Sequence, residues 1–127
     1  MKDSCAFCNL EKGREVLVET RDFFVILDRS PVNPGHALVI SKRHADNLFS
    51  LTAEEWEDLQ KAIHETKVHL DSAFSAHAYN VGVNCGEIAG QTVMHLHVHV
   101  IPRYQGDVKN PRGGIRSFKD PITDLLD

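Results

Sequence analysis

The sequence predicts an α+β fold, in which an antiparallel sheet of about five strands carries one long helix. Several runs of β-branched and aromatic residues are separated by short turn-forming segments. One longer segment repeats its apolar residues at the spacing of a helix. The 127 residues, of which 42% are hydrophobic and 25% charged, are enough for one domain with its own core.

Three strands are predicted in the first third of the chain, at residues 16–19, 23–28 and 37–40. Residues 20–22 separate the first two strands, which indicates a hairpin-like pair. Residues 30–35 contain two prolines and a glycine and form the next turn. Connections of this length favour antiparallel pairing, because a parallel crossover needs about a dozen residues or more.

A helix is predicted to begin at Thr52, because Thr52 and Glu55 have the spacing of a capping box. The apolar residues that follow at helical spacing should face the sheet, and they are Trp56, Leu59, Ile63, Leu70 and Phe74. Residues 79–84 and 96–101 complete the predicted strands. Pro102 is expected to end the last strand, since it has no N–H to donate.

Residues 1–107 are expected to form the domain. Residues 108–127 are expected to form an irregular tail, because they contain Pro111 and two glycines. The longest apolar runs are of strand length, and no apolar segment typical of a signal peptide follows Met1. A cytoplasmic protein without membrane contact is therefore expected. The net charge of −4 argues against broad nucleic-acid binding, which needs a concentrated basic face.

Three of the eight histidines alternate with apolar residues in the last strand. Because side chains on a strand alternate between faces, His95, His97 and His99 should share one face while their apolar neighbours anchor the other. A solvated face that is merely rich in histidine is one alternative. A three-histidine metal site is another, although ligands in line on one strand converge poorly on a tetrahedral ion.

The segment before these histidines has the chemistry of a phosphate site. Gly90, Gln91 and Thr92 combine a turn with amide and hydroxyl donors, and Asn84 precedes them. Such neutral donors and backbone N–H groups suit a phosphate beside a nucleophile. The triplet alone is common in ordinary turns and gains meaning only from the three histidines that follow.

Residues 95–101 have the pattern His-φ-His-φ-His-φ-φ, where φ is apolar, and the chain from Cys5 to Asp107 resembles the histidine triad superfamily. The residues that follow the triad, Pro102-Arg103 and later Gly106-Asp107, are similar to the Fhit-like branch of dinucleoside polyphosphate hydrolases. So are Gly90-Gln91-Thr92-Val93 and residues 31–36. The Hint-like phosphoramidase branch usually continues with Leu-Gly-Gly, which is absent here.

The resemblance implies a role for each matching residue. His97 would attack an α-phosphorus, the carbonyl of His95 would orient it, His99 would contact the phosphate or bridging oxygen, and His36 would support them. The phosphates would be held by Asn84, Gly90, Gln91 and Thr92. Ribose and base would be held by Phe24, Leu27 and Asp28.

Cys5 and Cys8 have a spacing that is common in zinc sites. Two half-buried thiols without a metal are the alternative. In zinc-bearing members of the superfamily the other two ligands match His44 and His95, which implies a closed, structural Cys2His2 zinc site here.

The resemblance implies a hydrolase that cleaves diadenosine tri- or tetraphosphate through a nucleotidyl-histidine intermediate. It also implies a homodimer with a continuous sheet, and a divalent cation could accompany the substrate. The alternatives are a phosphoramidase, a phosphorylase in which phosphate replaces water, and a nucleotide-binding protein with negligible turnover.

Overall fold

A computed structural model describes residues 4–118 and confirms the α+β fold. Within these residues five strands form one sheet in the order β1-β2-β3-β5-β4, and every neighbouring pair is antiparallel. The elements are β1 (Val18–Glu19), β2 (Phe23–Leu27), β3 (Ala37–Ser41), α1 (Ala53–Phe74), β4 (Ala78–Gly82) and β5 (His97–Arg103).

The helix begins as predicted. The Thr52 hydroxyl accepts a hydrogen bond from the N–H of Glu55 at 3.2 Å, and a Glu55 carboxylate oxygen accepts one from the N–H of Thr52 at 2.9 Å. These two bonds satisfy N–H groups that a helix leaves unpaired at its start. The helix ends at Phe74, and the following residue, Ser75, has a φ of 53° in the left-handed region.

One face of the sheet packs against α1 and forms the main core. Its strand residues include Val25, Val39 and Val98, and Leu59 and Leu70 pack on them from the helix. Burial of such side chains is the main force that holds the helix on the sheet. The predicted apolar stripe is confirmed except at Trp56, which is 45% exposed and lies outside this core.

The opposite face of the sheet carries His97 and His99, and we call it the triad face. The register places Ile40 beside His97, and it places Leu38 and Gly82 on either side of His99. Ile26, Leu38 and Ile40 form a second apolar cluster here. The triad face therefore has an apolar half over β2 and β3, with the histidines beside it on β5.

The prediction that Pro102 ends the last strand is wrong, because β5 continues to Arg103. Pro102 pairs with Tyr79 of β4, whereas the pairing of β5 with β3 stops at Val100. Pro102 is therefore tolerated, because no β3 residue lies opposite it to accept a hydrogen bond from the N–H that proline lacks. The Pro102 carbonyl accepts a hydrogen bond from the amide of Asn33 instead, at 2.9 Å.

The described part of the predicted tail, residues 108–118, is irregular apart from a 3₁₀ turn at Gly114–Arg116 that packs against β4. Residues 119–127, the remainder of that tail, lie outside the described residues. Among residues 4–118, no helix has the length and hydrophobicity that a membrane crossing requires.

Candidate active site

His97 and His99 lie at the start of β5 with their ring centroids 5.2 Å apart. His95 precedes the strand and is fully buried, and its ring belongs to a neighbouring cysteine and histidine cluster. His97 and His99 therefore form a pair on the triad face, whereas the side chain of His95 belongs to the cysteine and histidine cluster. This division excludes the alternative in which all three bind one metal ion.

Hydrogen bonding determines which nitrogen of His97 is free. Nδ1 of His97 lies 2.8 Å from the carbonyl oxygen of His95. A carbonyl can only accept, so Nδ1 carries the hydrogen and donates it. The lone pair of neutral His97 is therefore on Nε2, which is the arrangement a nucleophilic imidazole needs.

A second chain of hydrogen bonds fixes His99. The N–H of Val32 donates to Nδ1 of His36 at 3.0 Å, so neutral His36 carries its hydrogen on Nε2. Nε2 of His36 lies 2.9 Å from Nδ1 of His99 and donates to it. Nδ1 of His99 thus acts as an acceptor, which leaves Nε2–H of His99 as a donor for a substrate oxygen.

Burial keeps the rings of His36 and His99 neutral. Burial, together with smaller contributions from the nearby His97 and His36, lowers the pKa of His99 to about 4. The pKa of His36 is lowered by burial, and the carboxylate of Asp28 opposes that change. A buried imidazole loses the solvation of its charged form, so both rings act as neutral hydrogen-bond relays near pH 7.

A pocket of about 290 Å³ lies on the apolar half of the triad face. Asp28, Ile26 and Leu38 line it, as do Phe7 and Leu10 from the N-terminal segment. Phe24 packs against the same apolar cluster. Apolar walls beside the carboxylates of Asp28 and Glu11 suit a base and its ribose hydroxyls.

The structure does not bring Leu27 to this pocket. Leu27 packs against the helix-side core, because alternation along β2 turns it to the face opposite Ile26. The same alternation could have identified Ile26 from the sequence. Phe7 and Leu10 gave no such signal, since their position depends on how the N-terminal loop folds back.

The predicted phosphate residues occupy different places. The side chain of Gln91 is buried and accepts from the N–H of Gly86 at 2.8 Å while donating to the carbonyls of Asp46 and Val93 at 2.6 and 3.0 Å. Because these bonds engage both its oxygen and its nitrogen, Gln91 holds the loop together. The phosphate contact predicted for its side chain is not available in this arrangement.

Asn84, Gly90 and Thr92 are exposed. Asn84 lines a cavity together with His99. Gly90 has a φ of 101°, which only glycine adopts readily, and it closes the short turn Glu87–Ala89. Thr92 instead lines a recess next to Cys5 and His44, so the structure does not bring it to His99.

The sulfur and nitrogen atoms of Cys5, Cys8, His44 and His95 converge within 4.8 Å of one another. Sγ of Cys8 lies 3.1 Å from Nδ1 of His44 and 3.4 Å from Nδ1 of His95, and these two nitrogens are 3.1 Å apart. Tetrahedral zinc with its usual bond lengths separates its ligand atoms by about 3.3–3.8 Å. The cluster therefore has the composition and nearly the dimensions of a zinc site.

Nε2 of His95 lies 2.7 Å from the carbonyl of Ser41 and donates to it. This bond leaves Nδ1 without a hydrogen and turned toward the cysteines. Histidines that ligate metals commonly donate their other ring nitrogen to such a carbonyl. His95 is thus oriented as a ligand while its own carbonyl orients His97.

A larger cavity, of about 630 Å³, lies on the other side of His99 over β4 and β5. Besides His36, His99 and the two amides of Asn80 and Asn84, it is lined by apolar side chains, including Ile115 and Phe118 of the tail, and by glycine.

Comparison with known proteins supports this site. The sequence model of the HIT domain family matches residues 9–106. An asymmetrical bis(5'-nucleosyl)-tetraphosphatase of Schizosaccharomyces pombe is 38% identical over 101 residues, which are 80% of this chain and 56% of that protein. The chain thus spans little more than half the length of this relative.

Two further relatives carry different activities in their names. A bis(5'-adenosyl)-triphosphatase of Dictyostelium discoideum is 34% identical over 80% of this chain and 68% of its own length. An adenosine 5'-monophosphoramidase of Schizosaccharomyces pombe is 38% identical over 79% of this chain and 74% of its own length.

Solved structures share the fold. A HIT family protein from Bacillus anthracis has 34% identity and a TM-score of 0.75, over 84% of this chain and 78% of that one. A Zn-bound histidine triad family protein from Mycobacterium smegmatis has 32% identity and a TM-score of 0.73, over 82% and 78%.

Proposed function

The chain belongs to the HIT domain family, and we propose that it is a nucleotide hydrolase that cleaves dinucleoside polyphosphates at the α-phosphate through a covalent intermediate on His97. The observation that carries the proposal is the pair of fixed tautomers on β5. Nε2 of His97 has a free lone pair, and Nε2–H of the neighbouring His99 is a free donor. A nucleophile and a donor for the leaving oxygen therefore lie side by side.

In the first step Nε2 of His97 attacks the α-phosphorus in line and forms an N–P bond. The bond from phosphorus to the bridging oxygen breaks, and its electron pair stays on the leaving polyphosphate. Nε2–H of His99 donates a hydrogen bond to that oxygen. The carbonyl of His95 accepts from Nδ1–H of His97 and stabilises the positive charge that the attached imidazole acquires.

In the second step a water molecule attacks the same phosphorus, and the N–P bond breaks. The products are a mononucleotide and neutral His97, while the proton of the water leaves to solvent. Two displacements replace one slow hydrolysis. A divalent cation that accompanies the polyphosphate would neutralise part of its negative charge.

The proposal includes a structural zinc ion held by Cys5, Cys8, His44 and His95. The four donors fit tetrahedral zinc, and all four positions of the ion would be filled by the protein. Zinc would tie the N-terminal loop to the start of β5 and stabilise the fold. It takes no part in the displacement at phosphorus.

The second candidate function is a phosphoramidase, in which the same His97 attacks the phosphorus of a P–N bond. The similarity to the Schizosaccharomyces pombe phosphoramidase, at 38% identity, favours this candidate. The test is to measure kcat/KM for diadenosine tri- and tetraphosphate and for adenosine 5'-phosphoramidate under matched conditions. We expect the dinucleotides to have the higher values. The opposite preference would assign the protein to the phosphoramidase side.

The same assay separates the remaining alternatives. A binding protein would bind AMP and turn over none of these substrates. A phosphorylase would consume inorganic phosphate and release ADP and ATP from diadenosine tetraphosphate, where a hydrolase releases AMP and ATP. Gel filtration with light scattering tests the proposed homodimer, since β1 and β4 are the edges at which a continuous sheet could form.

A further inference from the structure

We propose that the cavity beside His99 binds the nucleoside of the leaving group. We call it the leaving-group cavity and define it by Val32, Asn84, Ile88, Ile101, Ile115 and Phe118. This inference rests on the proposed function, because it assumes that a group departs from phosphorus at His99. It goes further by stating where that group lies and that the tail helps to select it.

The cavity has the right position for the leaving group. Ile26, Leu38, His99 and Gly82 form one row across the triad face. The pocket with Asp28 lies at the β2 end of this row, and the leaving-group cavity lies at the β4 end. A dinucleoside polyphosphate that spans the histidines would therefore place one nucleoside at each end.

The direction of the reaction assigns the two ends. In an in-line displacement the leaving oxygen departs on the side of phosphorus opposite Nε2 of His97. Nε2–H of His99 is the donor that meets this oxygen, and both His99 and His36 line the leaving-group cavity. The nucleoside that stays on phosphorus then takes the pocket with Asp28.

The walls of the cavity suit a planar base. Its apolar residues stay in contact with solvent, with Ile115 62% exposed and Phe118 84% exposed. The amides of Asn80 and Asn84 add polar groups at the same site. Its volume of about 630 Å³ is within the usual range of ligand pockets and exceeds the 290 Å³ at Asp28.

Gly82 allows the tail to close this cavity. Gly82 lies opposite His99, and a Cβ placed on it would be 2.9 Å from Cδ1 of Ile115. A larger residue would therefore displace Ile115 from the wall. Gly114 in the same turn would bring a Cβ within 3.4 Å of the Asn80 amide, so the turn lies directly on β4.

The first test compares two substrates with different leaving groups. Ile115→Ser and Gly82→Val should each lower the ratio of kcat/KM for diadenosine tetraphosphate to kcat/KM for adenosine 5'-phosphoramidate by about tenfold. The phosphoramidate shares the adenylyl group but has no leaving nucleoside. Val108→Ser is the matched control, because Val108 is a half-exposed apolar residue of the tail that does not line the cavity. A ratio that stays within twofold in both variants would overturn the proposal.

The second test measures binding without turnover, in a His97→Asn background. Adding Ile115→Ser should raise the Kd for diadenosine tetraphosphate about tenfold and leave the Kd for AMP within twofold, as measured by calorimetry. Equal weakening of both ligands overturns the proposal. So does unchanged binding with an altered oligomeric state in sedimentation, which would mean that a second copy of the chain covers the cavity.

These results separate the two proposals. If the wild-type protein turned over neither substrate, the proposed function would fail. The comparison of the two Kd values would still decide whether the cavity holds the second nucleoside.

Discussion

The ring of Phe7 lies edge-on against the ring of His97, with centroids 5.0 Å apart and an angle of 62° between the planes. Phe7 stands between Cys5 and Cys8 in the sequence, so the proposed zinc loop directly contacts the proposed nucleophile. Phe7 also lines the pocket with Asp28. A metal that only stabilises this loop can thus influence nucleotide binding without touching the substrate.

The first prediction concerns the metal. The purified protein should contain about one zinc ion per chain, and Cys8→Ser should lose it, lower the Tm by several degrees and weaken AMP binding. Elemental analysis, thermal unfolding and calorimetry measure the three effects. Cys85→Ser is the control, because Cys85 is half-buried and outside the cluster. Freshly purified, unchelated protein without zinc would rule out this site.

The second prediction separates Phe7 from the metal. Phe7→Ala should keep the zinc content and raise the Kd for AMP about tenfold, because the pocket loses an aromatic wall. Phe7→Leu should recover part of the affinity, since it restores most of the apolar volume. Calorimetry and elemental analysis on the same samples provide both readouts.

Phe49→Ala is the control for this change, because Phe49 is 81% exposed and lines none of the described pockets. A Phe7→Ala protein that loses zinc while the affinity for AMP stays at the wild-type value would contradict the assignment.

The third prediction concerns stability at low pH. Hydrogen bonding to Arg43 lowers the pKa of the Glu55 carboxyl to about 2, and the N–H of Thr52 adds to this effect. Because this pKa is lower in the folded than in the unfolded protein, the ionised Glu55 stabilises the fold at pH values above the unfolded pKa, which is near 4.5. This contribution is lost as the pH falls from 4.5 toward 2. Glu55→Gln should therefore cost about 1–2 kcal/mol at pH 7.

Urea unfolding from pH 7 to pH 3 tests this linkage. The stability difference between wild type and Glu55→Gln should shrink by about half or more between pH 5 and pH 3. Glu57→Gln, a change at an exposed carboxylate on the same helix, should show little difference at any pH. A pH-independent gap for Glu55→Gln would show that the carboxyl charge does not stabilise the helix.

The sequence identifies the parts of the site that depend on local periodicity. Alternation along one strand predicts one shared face for His95, His97 and His99. The register confirms it for His97 and His99, whereas His95 precedes β5. The same rule places Ile26 with Phe24 and Leu27 on the other face, so alternation itself favours Ile26 over Leu27 as a nucleoside contact. The helix start was predictable because the capping box lies within four residues.

Other features depend on contacts between distant parts of the chain. Gln91 donates to the carbonyl of Asp46, which precedes it by 45 residues, and no local pattern predicts that its amide is consumed in this way. Pro102 continues a strand because the pairing of β5 with β3 stops at Val100, so that only β4 pairs with Pro102. The tautomer of His99 follows from the N–H of Val32 through His36, which only the folded geometry shows.

The fourth prediction is that His97 alone carries the covalent step. His97→Asn keeps a similar size and removes the nucleophilic nitrogen, so diadenosine tetraphosphate should bind with near wild-type affinity while turnover falls by several powers of ten. His99→Asn removes only a donor to the leaving oxygen and should slow the first step by about 10²–10⁴-fold. Calorimetry and single-turnover kinetics on both variants separate binding from chemistry.

Mass spectrometry of rapidly quenched protein then identifies the intermediate. Wild type and His99→Asn should carry one nucleotidyl group on the peptide that contains residue 97, whereas His97→Asn should carry none. His95 cannot take over, because its Nε2 donates to Ser41 and its Nδ1 faces the cysteines. His99 cannot either, since its Nδ1 accepts from His36 and its Nε2 holds the hydrogen. An adduct on the His97→Asn protein, or one that maps to His95 or His99, would therefore contradict the tautomers from which the mechanism is derived.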